Sequence, residues 1–493
     1  MTDIIIQPID NLMVRLQCEP HVAYEVSEDF SFFVNGYKHM PAYKRGHWDG
    51  KIRMFNVNKR EFYRGLIPRL IEWAETNDYT IAFGDKERLR PQIAFDEKWI
   101  ENWASYGKLQ PKDYQIKAFN IAMRLNQALV LSPTGSGKSY ICYLMVRYLL
   151  EHGVDKVLIT VPTTSLVEQL INDFKDYAVD WDVDANVHKI YSGKEKTTEA
   201  RVVISTWQSI YKLPGAWFKP YGAYICDEAH GADSKSITGI VGSLGHAPCR
   251  IGLTGTLDGT ALHELEMLAR FGPVVKATST KELMDRGDLA PISIDCFQLN
   301  YTQEEIALVK SMEYDQEITF LLQHESRNKL LVNSALRSTN NTLMLFNYIE
   351  RHGKVLYDML VEKAEQYGKK IYYISGKVAV EDRERIRQIL EKENNAILLA
   401  SMGTMSTGVN MKNLHNLIFC HPYKAKIKTL QSIGRTIRQA AGKNGAKLID
   451  VGDNLVYKKR SEKPNATWRH FIERLKIYDS EGFEYRIIKL DVK

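Results

Sequence analysis

The segment SPTGSGKS at residues 132–139 constrains the fold of this chain more than any other feature of its sequence. The apolar run ALVL at residues 128–131 precedes it, and a helical pattern follows at residues 140–150. A strand, a glycine-rich loop and a helix in this order form a phosphate-binding turn, because backbone N–H groups surround the anion at the helix N-terminus. The usual pattern begins with glycine, where this chain has Ser132. The sequence therefore predicts a parallel α/β sheet that binds a nucleoside triphosphate.

Two series of apolar runs, each alternating with helical patterns, extend this prediction to most of the chain. Runs rich in β-branched and aliphatic residues are typical of strands buried on both faces of a parallel sheet. The first series lies at residues 128–131, 157–161, 202–205, 224–227 and 250–253. The second lies at residues 343–346, 371–374, 396–400, 417–420 and 447–451. The predicted fold class is therefore α/β, with two parallel sheets in tandem and a small α+β N-terminal domain.

Four segments are predicted along the chain, whose 493 residues allow roughly three domains of about 150 residues each. Residues 1–100 form a basic and aromatic N-terminal domain that binds nucleic acid, and residues 101–285 form the ATP-binding domain. Residues 286–456 form the second sheet domain, and residues 457–493 a C-terminal extension. A linker is expected at residues 277–291 and helical packing at residues 302–338.

Composition excludes several classes of protein. A hydrophobic content of 44% and a charged content of 26% are typical of an ordered globular chain. The apolar runs are shorter than the ~20 residues that a membrane span needs, and the N-terminus shows no signal-peptide pattern. Six isolated cysteines show no paired spacing for zinc or for disulfides. We therefore expect a cytoplasmic protein without membrane contact.

Two acidic residues complete a nucleotide-hydrolysis site with the glycine-rich loop. In YICDEAH, Asp227 is suited to hold Mg²⁺, and Glu228 to orient the attacking water and accept its proton. In the loop, Lys138 would reach the β and γ phosphates, and the Ser139 hydroxyl would bind Mg²⁺. The other loop residues predicted to bind ATP are Thr134, Gly135, Ser136 and Gly137. ATP and Mg²⁺ are therefore the predicted cofactors.

A pair of arginines in QSIGRTIR follows much later in the chain. Arg435 and Arg438 lie 297 and 300 residues after Lys138. Arginines that stabilise charge on the γ phosphate raise hydrolysis rates by ~10³–10⁵ in related ATPases. If both motifs serve one nucleotide, hydrolysis would open and close two halves of the protein, so the spacing favours a motor. The alternative is that both arginines lie on the polar face of an amphipathic helix.

Two clusters of basic residues indicate a polyanionic partner. Residues 36–69 contain nine Lys and Arg against two acids, a local charge of +7, although the whole chain carries only +6. Residues 424–447 contain seven basic residues and no acid. Such clusters attract nucleic-acid phosphates. Either cluster alone could be a solvated lysine-rich face, but two of them flanking an ATPase favour nucleic acid.

In their order along the chain, these motifs resemble those of superfamily 2 helicases over residues 109–452. The resemblance is carried by PKDYQ, SPTGSGKS, VPTTSLVEQ, STWQSI, DEAH, LTGT, ISGK, SMGTMSTGVNMKNL and QSIGRTIR. It implies two RecA-like domains and an ATP hydrolase that acts as a DNA helicase. It also implies nucleotide contacts from Tyr114, Gln115, His230, Gly408, Asn410 and Gln431. The chain departs from many relatives at Lys112, where they have arginine, and at Asn410, where they have aspartate.

The same resemblance implies that four hydroxyl side chains contact the phosphates of a nucleic-acid strand. They are Thr163, Thr206, Ser375 and Thr404. Hydroxyl contacts to phosphate carry no base information, as translocation along any sequence requires. Without the family context, each of these residues would be better explained as a cap of a loop.

The N-terminal region interleaves aromatic residues with the first basic cluster, which is typical of surfaces that grip phosphates and stack on bases. Its candidate nucleic-acid contacts are Lys44, Arg45, Lys51 and Arg53. The alternation in WDGKIRMF predicts a strand with Lys51 and Arg53 near one another on one face.

HWDGKIRMFN, together with the helicase motifs, resembles bacteriophage helicases that act on branched DNA. The resemblance implies action on forks, Holliday junctions, single-stranded DNA and RNA–DNA hybrids in recombination, repair and replication, with 3′ to 5′ polarity. It further implies a monomer in the host cytoplasm, with single-strand-binding or recombination proteins as partners.

Two other functions remain open from the residues alone. Asp29 with Asp49 and Lys51 loosely fits the metal site of Mg²⁺-dependent nucleases, some of which are fused to similar motors. An ATP-gated nucleic-acid clamp or an RNA helicase would use the same motifs. Preference for DNA or RNA is not encoded in contacts that address the shared backbone.

Overall fold

The structure is a computed structural model that describes residues 2–34, 36–231, 234–257, 259–405, 411–424, 426–439, 443–456 and 464–492. The chain forms two compact units. The first comprises Met1–Ser132 and Gly137–Thr278, and the second comprises Pro133–Ser136 and Ser279–Lys493. Among the described residues, no helix combines the length and the apolar character that crossing a membrane requires.

The first unit begins with an α+β domain. Its strands are β1 (Ile4–Pro8), β2 (Met13–Cys18), β3 (Ser31–Phe33), β4 (Lys51–Arg53), β5 (Phe55–Asn56), β6 (Glu61–Tyr63) and β7 (Ile81–Phe83). Its helices are α1 (Pro20–Asp29), α2 (Pro41–Lys44) and α3 (Ile67–Thr76); the next helix, α4 (Trp99–Tyr106), packs instead against Phe119 and Tyr148 of the ATP-binding domain. The sheet order is β5-β6-β2-β1-β7, and β3 pairs with β4 in a separate antiparallel ribbon. Alternate residues of β1 and β2 face α1 and form the core of this domain.

A seven-stranded parallel sheet fills the rest of the first unit. Its strands are β8 (Gln127–Leu131), β9 (Lys156–Val161), β10 (Val187–Ile190), β11 (Val202–Thr206), β12 (Tyr221–Asp227), β13 (Cys249–Thr254) and β14 (Val274–Lys276). The order is β10-β11-β9-β12-β13-β8-β14, and every neighbouring pair is parallel. The helices are α5 (Asp113–Leu125), α6 (Lys138–Glu151), α7 (Thr164–Tyr177), α8 (Val183–Asn186), α9 (Trp207–Ile210), α10 (Gly215–Phe218), α11 (Ser234–Ser243) and α12 (Ala261–Phe271).

Helix α12 belongs to two hydrophobic cores. Leu265 and Ala269 pack into the core of the N-terminal domain, whereas Met267 and Phe271 pack under the parallel sheet. The approach is close, since a Cβ placed on Gly65 would lie 2.1 Å from the carbonyl oxygen of Leu268. The N-terminal domain is therefore packed directly against the ATP-binding domain.

Asn11, in the turn between β1 and β2, adds a polar connection between the same two domains. Its backbone N–H donates to the Gly245 carbonyl at 2.9 Å, and its side-chain amide donates to the His246 carbonyl at 3.0 Å. Its own carbonyl accepts from Gln127 at 2.8 Å and from Arg250 at 2.5 Å. Because Asn11 is only 7% exposed, these bonds are shielded from water.

The second unit contains another seven-stranded parallel sheet. Its strands are β15 (Ile292–Asn300), β16 (Thr342–Phe346), β17 (Lys370–Ile374), β18 (Ala396–Ser401), β19 (Asn416–Phe419), β20 (Ala446–Asn454) and β21 (Tyr485–Asp491). The order is β17-β18-β16-β19-β20-β15-β21, with every neighbouring pair parallel. Its helices are α13 (Thr280–Asp285), α14 (Gln303–Val309), α15 (Tyr314–Gln323), α16 (Glu325–Arg337), α17 (Lys354–Ala364), α18 (Val380–Leu390), α19 (Met402–Met405), α20 (Lys426–Thr436) and α21 (Ala466–Glu481).

The predicted fold class is confirmed, with differences at the sheet edges. All ten predicted strands are present, and α14, α15 and α16 occupy the stretch predicted to be helical. The prediction did not include β10, β14, β15 or β21. Strand β21 consists of exposed and half-buried residues, so it lacks the continuous apolar run that marks the central strands. Its parallel pairing with β15 makes the predicted C-terminal extension part of the second sheet.

Candidate nucleotide and nucleic-acid sites

The glycine-rich loop has the backbone geometry that phosphate binding requires. Gly135 and Gly137 have φ values of +88° and +80°, which side-chain-bearing residues rarely adopt. Gly137 is the N-cap residue of α6. The N–H groups in the first turn of that helix have no partner within the helix and are therefore suited to bind phosphate. A Cβ on Gly137 would lie 2.5 Å from Nε2 of Gln115, which shows how closely the predicted adenine-reading segment approaches the loop.

Lys138 lies beside the acidic motif at the end of β12. Its Nζ is 3.7 Å from Oε1 of Glu228, and Oε2 of Glu228 is 3.4 Å from Nδ1 of His230. The same His230 nitrogen lies 2.7 Å from Oγ1 of Thr254, at the end of the neighbouring strand β13. The predicted phosphate-binding lysine, the predicted base and the LTGT motif thus form one connected polar chain within the first unit.

Asp227 occupies the environment of a cation ligand. Burial, together with the charge of the adjacent Glu228, raises its pKa to about 7, while Lys138 opposes the shift. The backbone N–H of Glu228 donates to Oδ1 of Asp227 at 2.9 Å, and Glu228 adopts a φ of +51°. A half-buried, desolvated carboxylate with too little compensating charge fits a site for Mg²⁺, which takes oxygen ligands.

Ser139 has a partner that the sequence did not indicate. Its Oγ lies 3.0 Å from the hydroxyl of Tyr177, the last residue of α7. Burial raises the pKa of Tyr177 to about 12, so its hydroxyl stays protonated at neutral pH. Tyr177 stands at no spacing that a phosphate-loop pattern specifies. Thr254, by contrast, lies in the LTGT motif and could have been singled out.

Tyr114 and Gln115 lie near the start of α5 and are only 6% and 5% exposed. The side-chain oxygen of Gln115 accepts from the backbone N–H of Lys112 at 2.9 Å and caps the helix. The departure from arginine at Lys112 therefore leaves this backbone arrangement in place. Adenine recognition by Tyr114 and Gln115 stays a prediction.

In the second unit, helix α20 carries Gln431, and Arg438 follows its end. The backbone of Arg438 forms an antiparallel bridge with Leu289, in the predicted linker. The side chain of Arg435 lies outside the described residues, as do Gly408 and Asn410. Their predicted roles, like those of Gln431 and Arg438, stay predictions.

The four hydroxyl side chains predicted to contact phosphate differ in their surroundings: one caps a helix, and the other three are almost fully buried. Thr163 is the N-cap of α7 and accepts from the Leu166 N–H at 3.4 Å, so it does cap a helix. The others are almost fully buried, with Thr206 6%, Ser375 2% and Thr404 5% exposed. Thr206 and Thr404 are hydrogen-bonded to neighbouring serine hydroxyls at 2.8 and 2.6 Å. Contact with a nucleic-acid strand stays a prediction for all four.

Lys51 and Arg53 lie together on β4, but each is already paired. Glu28 accepts from Lys51 at 2.5 Å and from Arg53 at 2.7 Å, and Asp49 lies 2.6 Å from Arg53. Hydrogen bonds from Lys51 and Arg53 lower the pKa of Glu28. The local excess of positive charge is thus smaller than the count over residues 36–69 suggested, because Glu28 lies outside that segment.

The carboxylates of the alternative nuclease pattern are engaged elsewhere. Asp29 accepts from the indole N–H of Trp73 at 2.6 Å, and Asp49 pairs with Arg53. Across the described part of the chain, no group of three or more His, Cys, Asp and Glu residues is arranged to hold a metal ion. Within those residues, the structure therefore gives the nuclease hypothesis no metal site.

Residues 34–50, which we call the tip, connect β3 to β4. Apart from Gly50, every described residue of the tip is exposed or half-buried, and Lys44 and Arg45 are exposed. At its base, Phe33 stacks on Tyr37 with ring centroids 4.6 Å apart, and Tyr43 meets Tyr37 edge-on at 4.8 Å. The tip therefore presents exposed cations together with half-buried and exposed aromatic rings, a combination suited to nucleic acid.

Comparison with known proteins decides the family. Residues 3–84 match the family described as "DNA helicase UvsW, N-terminal", residues 108–259 match "Type III restriction enzyme, res subunit", and residues 325–440 match "Helicase conserved C-terminal domain". The chain is 32% identical over 498 residues to the ATP-dependent DNA helicase uvsW of Enterobacteria phage T4, and the alignment covers 96% of each protein. This chain belongs to the UvsW helicase family.

Structural similarity agrees with this assignment. The crystal structure of T4 UvsW matches over 100% of both chains, with a TM-score of 0.52 and 28% sequence identity. In sequence, the chain is also 25% identical to the DNA 3′-5′ translocase XPB2 of Sulfurisphaera tokodaii, and the alignment covers 67% of this chain and 79% of that protein. As a UvsW-family member, the chain is an ATP-dependent helicase of superfamily 2. The predicted enzyme class and the use of ATP are therefore confirmed.

Proposed function

We propose that this UvsW-family protein is a DNA helicase that remodels forks, Holliday junctions and RNA–DNA hybrids during recombination, repair and replication of a phage genome. It would act as a monomer in the host cytoplasm, together with single-strand-binding or recombination proteins. The 3′ to 5′ polarity proposed here is supported by the name of the XPB2 relative.

The observation that carries this proposal is the shared helix α12. The domain that bears the exposed basic and aromatic tip packs on α12, and the ATP-binding sheet packs on its other side. A surface suited to hold branched DNA and the part of the ATP site formed by Lys138, Asp227 and Glu228 therefore belong to one compact unit. This arrangement lets the tip hold a junction in a fixed position relative to Lys138 and Glu228.

The residues have distinct proposed roles in hydrolysis. Lys138 and the backbone amides of residues 134–139 would bind the phosphates, and Ser139 and Asp227 would hold Mg²⁺. When bound, Mg²⁺ would neutralise negative charge on the phosphate oxygens. Glu228 would orient the attacking water and take its proton, with His230 and Thr254 fixing its carboxylate. Arg435 and Arg438 would stabilise charge on the γ phosphate.

The role proposed for each basic residue in DNA binding depends on whether its side chain is exposed or already paired. Lys44 and Arg45 of the tip are proposed to bind phosphates of the branched substrate, since both are exposed. Lys51 and Arg53 are proposed as weaker contributors, because a phosphate would have to compete with Glu28 for them. Thr163, Thr206, Ser375 and Thr404 are proposed to contact the translocating strand through sequence-independent bonds.

The decisive experiment replaces the two exposed cations of the tip. Lys44→Ala/Arg45→Ala should bind forks and four-way junctions less tightly, and the slope of its salt dependence should fall by about 0.9 for each phosphate that it no longer neutralises. Its ATPase activity at saturating single-stranded DNA should match the wild type. Lys86→Ala/Arg90→Ala removes the same charge from exposed positions of the same domain and serves as the matched control. Unchanged junction binding in the tip variant would refute the assigned surface.

A second measurement separates a motor from an ATP-gated clamp. Strand displacement from a fork, a four-way junction, an R-loop and a linear duplex is compared with ATP and with a non-hydrolysable analogue. A motor requires hydrolysis for displacement. Equal displacement with both nucleotides would instead establish the clamp.

A further inference from the structure

Three buried cations of the second unit bind either the turn before helix α20 or the last residue of that helix, and none lies in the helicase motifs quoted above. They are Arg327 on α16, Arg474 on α21 and Lys443 before β20, with exposures of 0%, 0% and 6%. A buried charge is costly unless it is paired and fully hydrogen-bonded. Their hydrogen-bond partners therefore show what these residues hold in place.

Arg327 and Arg474 donate hydrogen bonds to the same turn, residues 420–424, from opposite faces of the sheet. Arg327 binds Asp453 through Nε at 2.8 Å and Nη2 at 3.2 Å, and its Nη1 donates to the Cys420 carbonyl at 3.0 Å. Arg474 binds Asp450 through Nε and Nη2, both at 2.8 Å, and its Nη1 donates to the Tyr423 carbonyl.

Asp450 and Asp453 are three residues apart on β20, so their side chains point to opposite faces. The two arginines thus reach the turn of residues 420–424 from both sides, just after β19 ends and just before α20 begins. Each arginine has five donors in a planar fork, and so can bind a carboxylate bidentately while donating to a carbonyl.

Lys443 holds the other end of the helix. Its ammonium donates to the carbonyls of Thr436, the last residue of α20, and of Leu414, with a longer bond of 3.4 Å to Lys412. Residues 412 and 414 belong to the SMGTMSTGVNMKNL motif. Lys443 therefore joins the end of α20 to that motif, and a cation at a helix C-terminus also interacts favourably with the helix dipole.

We infer that Arg327, Arg474 and Lys443 are positioning residues that hold α20 at both ends and thereby set the place of Gln431 and Arg438 in ATP hydrolysis. The inference rests on the proposed role of these motif residues. Their placement matters for rate because a misplacement of ~1 Å can cost ~10²-fold in an enzymatic reaction. Stability is a weak explanation for the two ion pairs, since replacing a buried ion pair by well-packed apolar residues of similar volume is often neutral or stabilising.

The test replaces one of these buried ion pairs by apolar residues of similar volume. In Arg474→Met/Asp450→Leu/Tyr478→Phe, the ion pair and the tyrosine that donates to Asp450 at 2.8 Å are replaced together by apolar side chains. No buried charge is left unpaired, but the bonds to the Tyr423 and Val451 carbonyls are removed. We expect a thermal midpoint close to the wild type and a kcat for DNA-stimulated ATP hydrolysis lowered about 10- to 100-fold. The KM for ATP should change little. Wild-type kcat in this folded variant would overturn the inference.

Lys443→Met tests the opposite end of α20 independently and decides the matter if the triple variant does not fold. It should lower kcat in the same way, and a folded Lys443→Met protein with wild-type kcat would also overturn the inference. Arg486→Ala is the matched control, because Arg486 pairs with Asp295 on the same sheet without contacting the turn. Failure of the proposed ATP site would look different, since Lys138→Ala would then keep DNA-stimulated hydrolysis.

Discussion

Replacing Asn11 by alanine should loosen the N-terminal domain from the ATP-binding domain without touching either site. The side chain donates to the His246 carbonyl at 3.0 Å and exchanges two bonds with Gln92 at 3.4 and 3.1 Å. Its oxygen also accepts from Arg64 at 3.1 Å. The backbone bonds of residue 11 to Gly245, Gln127 and Arg250 would remain.

The expected loss follows from these partners. Neutral hydrogen bonds contribute about 0.5–1.5 kcal/mol each and bonds to a charged group about 1.5–3 kcal/mol. The bond to Gln92 at 3.4 Å is weak, and Arg64 keeps its bond to the Leu89 carbonyl at 2.5 Å. We therefore expect the free energy of unfolding of the first unit to fall by about 2–4 kcal/mol.

Two assays check the prediction. Hydrogen exchange should show faster opening at residues 244–247 and 88–92 in Asn11→Ala, while exchange in β8 and β12 stays slow. The number of base pairs unwound for each ATP hydrolysed should fall, because a loosely held tip no longer fixes the junction. Asn56→Ala, at an exposed position of the same domain, should behave like the wild type. If Asn11→Ala exchanges faster at these residues yet unwinds as many base pairs per ATP, rigid coupling through this interface is wrong.

Three further variants probe the chemistry and the stability of the two units. Glu228→Gln should keep ATP binding but lower kcat by ~10²–10⁴-fold, the range for loss of a general base; single-turnover hydrolysis measures this, and near-normal turnover would exclude Glu228 as the base. Lys138→Ala should lose hydrolysis and weaken ATP binding in a nucleotide-binding titration, whereas full activity would refute the assigned phosphate site. The pKa of His421 is lowered to about 3 by burial and by the nearby Arg327 and Arg474, so the unfolded chain binds a proton below pH 6.5 that the folded chain does not. The wild type should therefore lose about 1.4 kcal/mol of stability per pH unit below 6.5 from this residue. In urea unfolding at pH 7.5 and 5.5, His421→Gln should lose less stability than the wild type, and equal losses would contradict the assignment.

The central strands and the glycine-rich loop could be predicted because local sequence determines them. A strand buried on both faces must be apolar throughout, and a loop that wraps phosphate must contain glycine where φ is positive. Strand β21 escaped prediction because it is an edge strand without a buried residue, defined by its pairing with β15. Pairing across the sheet is a non-local property that residue patterns do not reveal.

The functional sites also contain some residues that local sequence identifies and others that only the fold brings together. Lys138, Asp227 and Glu228 stand at spacings that the chemistry imposes, and the first unit brings Lys138 and Glu228 together. The partnership of Tyr177 with Ser139 depends on how α7 packs, and nothing in the sequence near Ser139 signals it. In the basic cluster, Glu28 pairs with Lys51 and Arg53 from the end of α1, so a charge count over neighbouring residues overestimated the free positive charge.

The shared helix α12 also limits how the N-terminal domain can be exchanged between relatives. Removing residues 1–84 would leave Leu265, Ala269 and the packing face around Leu268 exposed to water on the ATP-binding domain. Such a truncated protein would carry a new apolar patch and a tendency to associate. A chimera that transplants the N-terminal domain should therefore carry the matching face of α12 with it, since the boundary between the two domains runs through that helix and not through a linker.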